Sequence, residues 1–243
     1  MWKYQISSHT LTAILTVDEL SDIGGTAWGS NGWILVTSGT NIFKVKANGD
    51  SLTQLTFLGG NISPQWSPSS AAFGYTYINN GPWVSVRTST STGISDTLYN
   101  TPIFQGSCWY TENQVVWVNN LGVLLGDIAA DAWTIVGPTP VASDPDNSNY
   151  FGITTMEQSA VWSHVSGLYR TDLANGTGTQ LLLSTCDSRY FSGLDYSPQT
   201  DKLLAIRRRF TPQDSSTLLV ENELVLMNAD GSGLQVLSLP FPE

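Results

Sequence analysis

Charge is scarce in this chain. Of its 243 residues only 12% are Asp, Glu, Lys or Arg, about half the share usual in globular domains. With so few Lys, Glu and Arg residues, a coiled coil or helical bundle is disfavoured. Basic residues are the rarer sign, ten against twenty acidic, for a net charge of −10. Between Thr88 and Tyr169 there is no Lys or Arg. Such a surface repels phosphate, so nucleic acid and acidic lipid headgroups are disfavoured as partners. No apolar run approaches the roughly 18 residues of a membrane helix, and none is expected to insert. Met1 leads into Trp2-Lys3-Tyr4-Gln5 without a signal-peptide core, so an exported form would be a processed or truncated one.

Cysteine and histidine are also sparse. Cys108 and Cys186 lack metal-ligand spacing and are expected to be separate thiols, although a disulfide is possible. The two histidines, His9 and His164, have no recognisable nucleophile or acid nearby in sequence. There is no Gly-x-Ser-x-Gly elbow, no His-Glu-x-x-His and no phosphate loop.

What the chain does have is aromatic and turn residues. Nine Trp, nine Tyr, eight Phe and 22 Gly argue against disorder. They fall into a repeat. A short apolar strand, a polar turn and a second strand recur from Trp2, Ile42, Trp83, Val123, Leu168 and Leu224, at spacings of 40, 41, 40, 45 and 56 residues. The turns include Asn48-Gly49-Asp50, Asn175-Gly176-Thr177 and Asp230-Gly231-Ser232-Gly233, residues that accept the positive φ of tight hairpins. A second hairpin lies between successive copies, with first strands at Thr26–Trp28, Pro64–Pro68, Gly106–Trp109, Phe151–Ile153 and Gly193–Pro198. Four short strands in about 40 residues are the signature of a propeller blade.

The expected fold is therefore an all-β propeller forming one domain over residues 1–243. Six copies of the outer hairpin against five of the inner one point to a six-fold ring with an incomplete first blade. Five blades plus an extra hairpin is the alternative.

Gln54-Leu55-Thr56, Ser63-Pro64-Gln65-Trp66-Ser67-Pro68 and Ala72-Phe73 resemble the repeat of TolB-type β-propellers. So does the run from Leu226-Met227-Asn228-Ala229-Asp230-Gly231-Ser232-Gly233 to Leu234-Gln235-Val236-Leu237. Where that family has Asp-Gly after Ser-Pro, this chain has Ser69-Ser70 and Gln199-Thr200. The resemblance covers nearly all residues as architecture, and its motifs are structural. It implies a periplasmic or extracellular location, since TolB-type proteins work in the bacterial periplasm against envelope proteins.

The functional expectation is a monomeric, non-catalytic binding or scaffold module for a protein or peptide. The alternatives are a propeller glycoside hydrolase or lyase, with channel carboxylates drawn from Asp18, Asp22, Asp187 and Asp195, and a carbohydrate-binding lectin. Three long connections, Gly137–Tyr150, Ser184–Tyr190 and Arg208–Glu223, share one face, and long loops on a rigid scaffold are where function concentrates. The candidate binding residues are Tyr150, Asp187, Arg189, Tyr190 and Arg208. Arg207-Arg208-Arg209 is the only basic cluster, expected to pair with Asp201, Asp214, Glu221 or Glu223. Asp144-Pro145-Asp146 offers oxygens at alternate positions, so Asp144 and Asp146 are a calcium candidate; no other cofactor is expected. The tryptophans repeat by strand register, which points to blade-to-blade packing.

Overall fold

The computed structural model describes residues 1–16, 18–78, 84–99, 107–119, 122–130, 132–137, 150–175, 179–184, 189–213 and 218–239. A first hairpin pairs β1 (Trp2–Gln5) with β2 (Thr10–Ala13). Among the described residues, five four-stranded sheets follow, each with its strands paired in chain order. Blade 1 is β3 (Ile23–Trp28), β4 (Trp33–Ser38), β5 (Asn41–Lys46) and β6 (Thr53–Gln54). Blade 2 is β7 (Asn61–Trp66), β8 (Ala72–Tyr77), β9 (Val84–Ser89) and β10 (Ser95–Tyr99). Blade 3 is β11 (Ser107–Thr111), β12 (Gln114–Asn119), β13 (Gly122–Asp127) and β14 (Ala132–Gly137). Blade 4 is β15 (Tyr150–Met156), β16 (Ser159–His164), β17 (Gly167–Asp172) and β18 (Thr179–Ser184). Blade 5 is β19 (Arg189–Ser197), β20 (Lys202–Pro212), β21 (Leu218–Asn228) and β22 (Gln235–Leu237).

The fold is thus an all-β propeller of four-stranded blades. Among the described residues there are five complete blades and one two-stranded hairpin, and not clearly a sixth blade. Locally, β1–β2 has the pattern of an outer hairpin, which is why the sequence counts it as a sixth repeat. Among the described residues no further strand joins that pair.

The chain divides into two compact units. One holds Met1–Gln105, with Thr111–Asn113 and Leu239–Glu243; the other holds Gly106–Tyr110 and Gln114–Ser238. In the first unit, Ile14, Leu15 and Leu20 pack on Ile34, Val36 and Val45 of blade 1. The other face of that blade, through Leu35 and Ile42, meets Trp66, Phe73, Tyr75 and Val86 of blade 2. In the second unit, Val116, Val118 and Val123 of blade 3 pack on Ala160, Trp162 and Tyr169 of blade 4. Val161 and Leu168 of blade 4 meet Phe191, Leu203, Ala205, Val225 and Met227 of blade 5. Strands buried on both sides lose the alternation of a half-wet sheet: β16 is buried at all six positions. Each fully buried Leu, Val or Phe contributes about 1.5–3 kcal/mol, so the seams between blades hold each unit together.

The first strand of three blades carries a two-residue bulge, at Gly24-Gly25, Ser63-Pro64 and Gly193-Leu194. Pro64 sits there because a bulge tolerates a residue without an N–H. Gly126 answers a different need: a Cβ at this position would lie 2.7 Å from the Trp133 ring that packs across it.

The tryptophan expectation holds for Trp66, Trp109 and Trp162, which are 8%, 5% and 0% exposed. It fails for Trp28 and Trp2, which remain 56% and 47% exposed. β3 has Gly24-Gly25 directly after Ile23 and is exposed at every position except Ile23 and Ala27, so the register that buries Trp66 leaves Trp28 uncovered.

Candidate functional site

The connection over residues 208–223, expected to be a loop, is mostly strand. β20 and β21 each run eleven residues and stay in register from Lys202↔Asn228 to Pro212↔Leu218. The sequence explains why they continue. Arg207 faces Glu223 and Arg209 faces Glu221 across the pair, with Phe210, Thr211 and Val220 beyond them as good strand formers. The Arg207 guanidinium lies 2.6 Å from the Glu223 carboxylate, and its Nε donates to the same oxygen at 2.7 Å. Arg209 and Glu221 are 3.9 Å apart and half exposed, a pair of small worth.

This ribbon outruns its neighbours. Among the described residues, β19 pairs with β20 only as far as Arg189↔Arg209. β22 pairs with β21 only at Leu224, Val225 and Leu226. Residues 218–223 of β21 therefore form an outward edge with no strand beside it among the described residues. An edge of this kind presents a row of backbone donors and acceptors.

The two faces of the arm differ, because opposed residues share a side and successive ones alternate. One face carries the ion pairs and Leu219. The other carries Tyr190, Arg208, Phe210 and Val220. There Arg208 donates from Nη1 to the Tyr190 hydroxyl at 3.3 Å, with its guanidinium 5.9 Å from the ring centroid. The Tyr190 ring stacks on Phe210, centroids 5.5 Å apart. Toward the tip, Leu219 and Val220 are 41% and 46% exposed. In the first unit, Phe57 and Leu58 stand 74% and 89% exposed in the β6–β7 connection, a loop between blades.

Of the expected site residues, the structure brings Tyr190 and Arg208 together. The backbone of Arg189 pairs with Arg209, and that of Tyr150 pairs with His164; their side chains lie outside the described residues. Asp187, Asp144, Asp146, Asp214 and Cys186 lie outside them as well. Asp201 does not reach the arginines; its carboxylate accepts from the Tyr196 hydroxyl at 3.0 Å. The expected pairing of the arginines with Glu221 and Glu223 is present, whereas Phe210, Leu219 and Val220 were missed as site residues. Their signal was the continued alternation past Arg207 and the matching charges in the returning segment.

The remaining chemistry-bearing groups are dispersed. His164 is buried, its Nδ1 2.7 Å from the Ser166 hydroxyl, and His9 sits in the first hairpin turn 2.9 Å from the Tyr4 hydroxyl. Cys108 is a free thiol, pushed far up by burial. Asp195 is exposed at its edge, yet desolvation by the surrounding chain holds its carboxyl above the ordinary value, while Oδ1 accepts the Tyr196 N–H at 2.9 Å. Among the described residues, no group of three or more His, Cys, Asp or Glu could hold a metal ion. No helix there is long and apolar enough to cross a membrane.

No family model matches the chain, and no match was found among curated proteins. Solved structures do match it. A TolB-type protein from Agrobacterium tumefaciens aligns at TM-score 0.72 and 13% identity, over 96% of this chain and 86% of that one. TolB from Acinetobacter baumannii aligns at TM-score 0.67 and 15% identity, over 95% of this chain but only 57% of that one. A chain of a nidogen/laminin complex aligns at TM-score 0.56 and 11% identity, over 83% of this chain and 91% of that one. At these identities the likeness is one of fold. In fold, this protein is a TolB-like β-propeller.

Proposed function

We propose that the protein is a non-catalytic propeller module that holds an extended segment of a protein partner along the β20–β21 arm. The observation that carries this reading is the unpaired edge of β21 at residues 218–223, beside the exposed Leu219 and Val220. Strand addition fits such an edge: backbone hydrogen bonds supply affinity, and alternate side chains supply selectivity. Arg208 and the Tyr190–Phe210 stack give the same arm an aromatic, cationic face, the composition enriched at binding hot spots. The rigid blade beneath holds the arm in place. Support from the comparisons is at the level of fold: a TolB propeller and a propeller in a nidogen/laminin complex are among its structural relatives. With the scarcity of lysine, the fold also supports an exported location.

A library of extended peptides selected on the wild-type protein supplies the probe. Its best binder is then measured by fluorescence anisotropy against Val220→Pro and Leu219→Asp. Either substitution is expected to weaken binding by about tenfold or more, since proline breaks the edge and aspartate charges the apolar tip. Unchanged affinity in both variants places the binding surface elsewhere and sinks the reading.

A further inference from the structure

A second site lies at the other end of blades 4 and 5, where the hairpin turns gather. The β15–β16 turn, strand β17, the β19–β20 turn and the β21–β22 turn enclose an open cleft of about 490 Å³ lined by Glu157, Arg170, Tyr196, Asp201, Lys202 and Asp230 among others. That volume is in the range of small-molecule sites. The lining is dominated by charge, in a protein that has little.

The cations here belong to the group without an ion pair, and two of them line one cleft. Elsewhere Arg87 pairs with Asp96, Arg207 with Glu223 and Arg209 with Glu221. Arg208 rests on Tyr190, and Lys44 and Lys46 lie over Trp33. Among the described residues, Arg170 and Lys202 have no carboxylate within ion-pairing distance. Each is nonetheless held in position. Arg170 donates from Nε to the Ser159 hydroxyl at 3.0 Å, which leaves its two terminal nitrogens for a carboxylate. The Lys202 ammonium donates to the Asn228 side-chain carbonyl. Both are thus oriented by neutral partners.

Two of the three acidic groups are also anchored. Asp201 accepts from the Tyr196 hydroxyl at 3.0 Å, and Asp230 from the Ser232 N–H at 2.9 Å. The Tyr196 phenol is raised first by desolvation, next by its bond to Asp201 and the charges of Asp201 and Glu157, and is lowered by Arg170. One hydroxyl therefore senses three of the cleft's charges. Three carboxylates oppose two cations across the lining, a net charge of −1. A ligand with one carboxylate and two cationic groups offsets that net charge and offers each sign its opposite.

We propose that this cleft binds a basic α-amino acid, free or as the C-terminal residue of a dipeptide whose N-terminal ammonium supplies the second cation. Its carboxylate lies on Arg170 and Lys202, and its two cationic groups lie among Glu157, Asp201 and Asp230. The terminal nitrogens of Arg170 suit a bidentate grip on the carboxylate.

Isothermal titration of the full chain with L-lysine, glycyl-L-lysine and L-glutamate tests it. Saturable binding of L-lysine or glycyl-L-lysine is expected with a Kd on the order of 1 mM or tighter, and at least about tenfold weaker binding of glutamate. Lysine alone binding identifies the free amino acid; glycyl-lysine alone identifies a peptide end. Arg170→Gln and Asp201→Asn are each expected to weaken binding about tenfold, while Lys3→Gln in the first unit leaves it unchanged. Thermal melting reports whether each variant folds; should Arg170→Gln not fold, Asp201→Asn decides. No saturable heat from either lysine probe at about 10 mM, glutamate binding as tightly as lysine, or full affinity in a folded variant overturns the proposal.

Discussion

Arg207 and Glu223 stand directly opposite one another in the β20–β21 ribbon, guanidinium to carboxylate at 2.6 Å. Arg207 keeps only 18% of its side chain exposed, while Glu223 keeps 41%. The pair sits where β20 leaves the packed blade for the arm, next to Phe191 at 1% exposure. It fastens the base of the arm to the rigid sheet. Replacing Glu223 by Gln is expected to cost about 1–2 kcal/mol of stability in urea unfolding, since a half-buried guanidinium loses its charged partner. A double-mutant cycle with Arg207→Ala isolates the coupling; coupling below about 0.3 kcal/mol contradicts this role.

The seam between blades 3 and 4 centres on Trp162, which is fully buried, stacks on Tyr169 at 4.7 Å and donates its indole N–H to the Thr171 hydroxyl at 3.0 Å. Trp162→Ala is expected to destabilise the protein by about 3–5 kcal/mol. Thr171→Val keeps the shape but orphans the indole donor, for a loss of about 1–3 kcal/mol. Equilibrium denaturation ranks the two. A smaller effect from the tryptophan than from the threonine contradicts the packing described.

Cys108 provides a probe of closure in the second unit. Burial pushes its thiol far above the ordinary cysteine range, against a weaker lowering by Thr155. The reactive species is the thiolate. In a Cys186→Ser background, Cys108 is expected to resist Ellman's reagent at pH 8 in the folded protein and react fully in denaturant. Rapid labelling under native conditions contradicts the shielding of this half-buried thiol.

Acid should loosen the outer turns. Asp230 is held below the ordinary value, first by the Ser232 side chain and next by its N–H; Asp172 is held below it by the N–H groups of Ala174 and Asn175. A carboxylate whose folded pKa is lowered stabilises the fold above its unfolded pKa, and that stability is lost as pH falls through the folded value. Thermal melting from pH 7 to pH 2 is expected to show a steeper acid loss in the wild type than in Asp230→Asn. Parallel curves contradict the turn's dependence on its carboxylate.

Much of the blade architecture was legible in the sequence, because it is written at short range. Turns such as Asn48-Gly49-Asp50 and the strands on either side fall where alternation and positive-φ residues place them. The number of blades was not legible. Trp2–Gln5 and Thr10–Ala13 read locally like any outer hairpin, and whether an inner pair joins them is a long-range fact. The arm was hidden for a related reason. The sequence offers Glu221 and Glu223 among the acids that could pair with the arginines, but only the register sets them opposite Arg209 and Arg207 and makes the connection a strand. Trp28 misled because its register says buried, while the glycines of β3 leave its surroundings open. The cleft was invisible because its cations and carboxylates come from separate turns, each an ordinary turn on its own.

The most direct measurement of the account is hydrogen exchange along β21, with and without a selected peptide. The outward amides of residues 218–223 are expected to exchange quickly in the free protein and to become protected by about tenfold or more in the complex, while those of Val225 and Met227 in the blade stay protected throughout. Binding that leaves the arm's exchange unchanged, with protection appearing elsewhere, contradicts it.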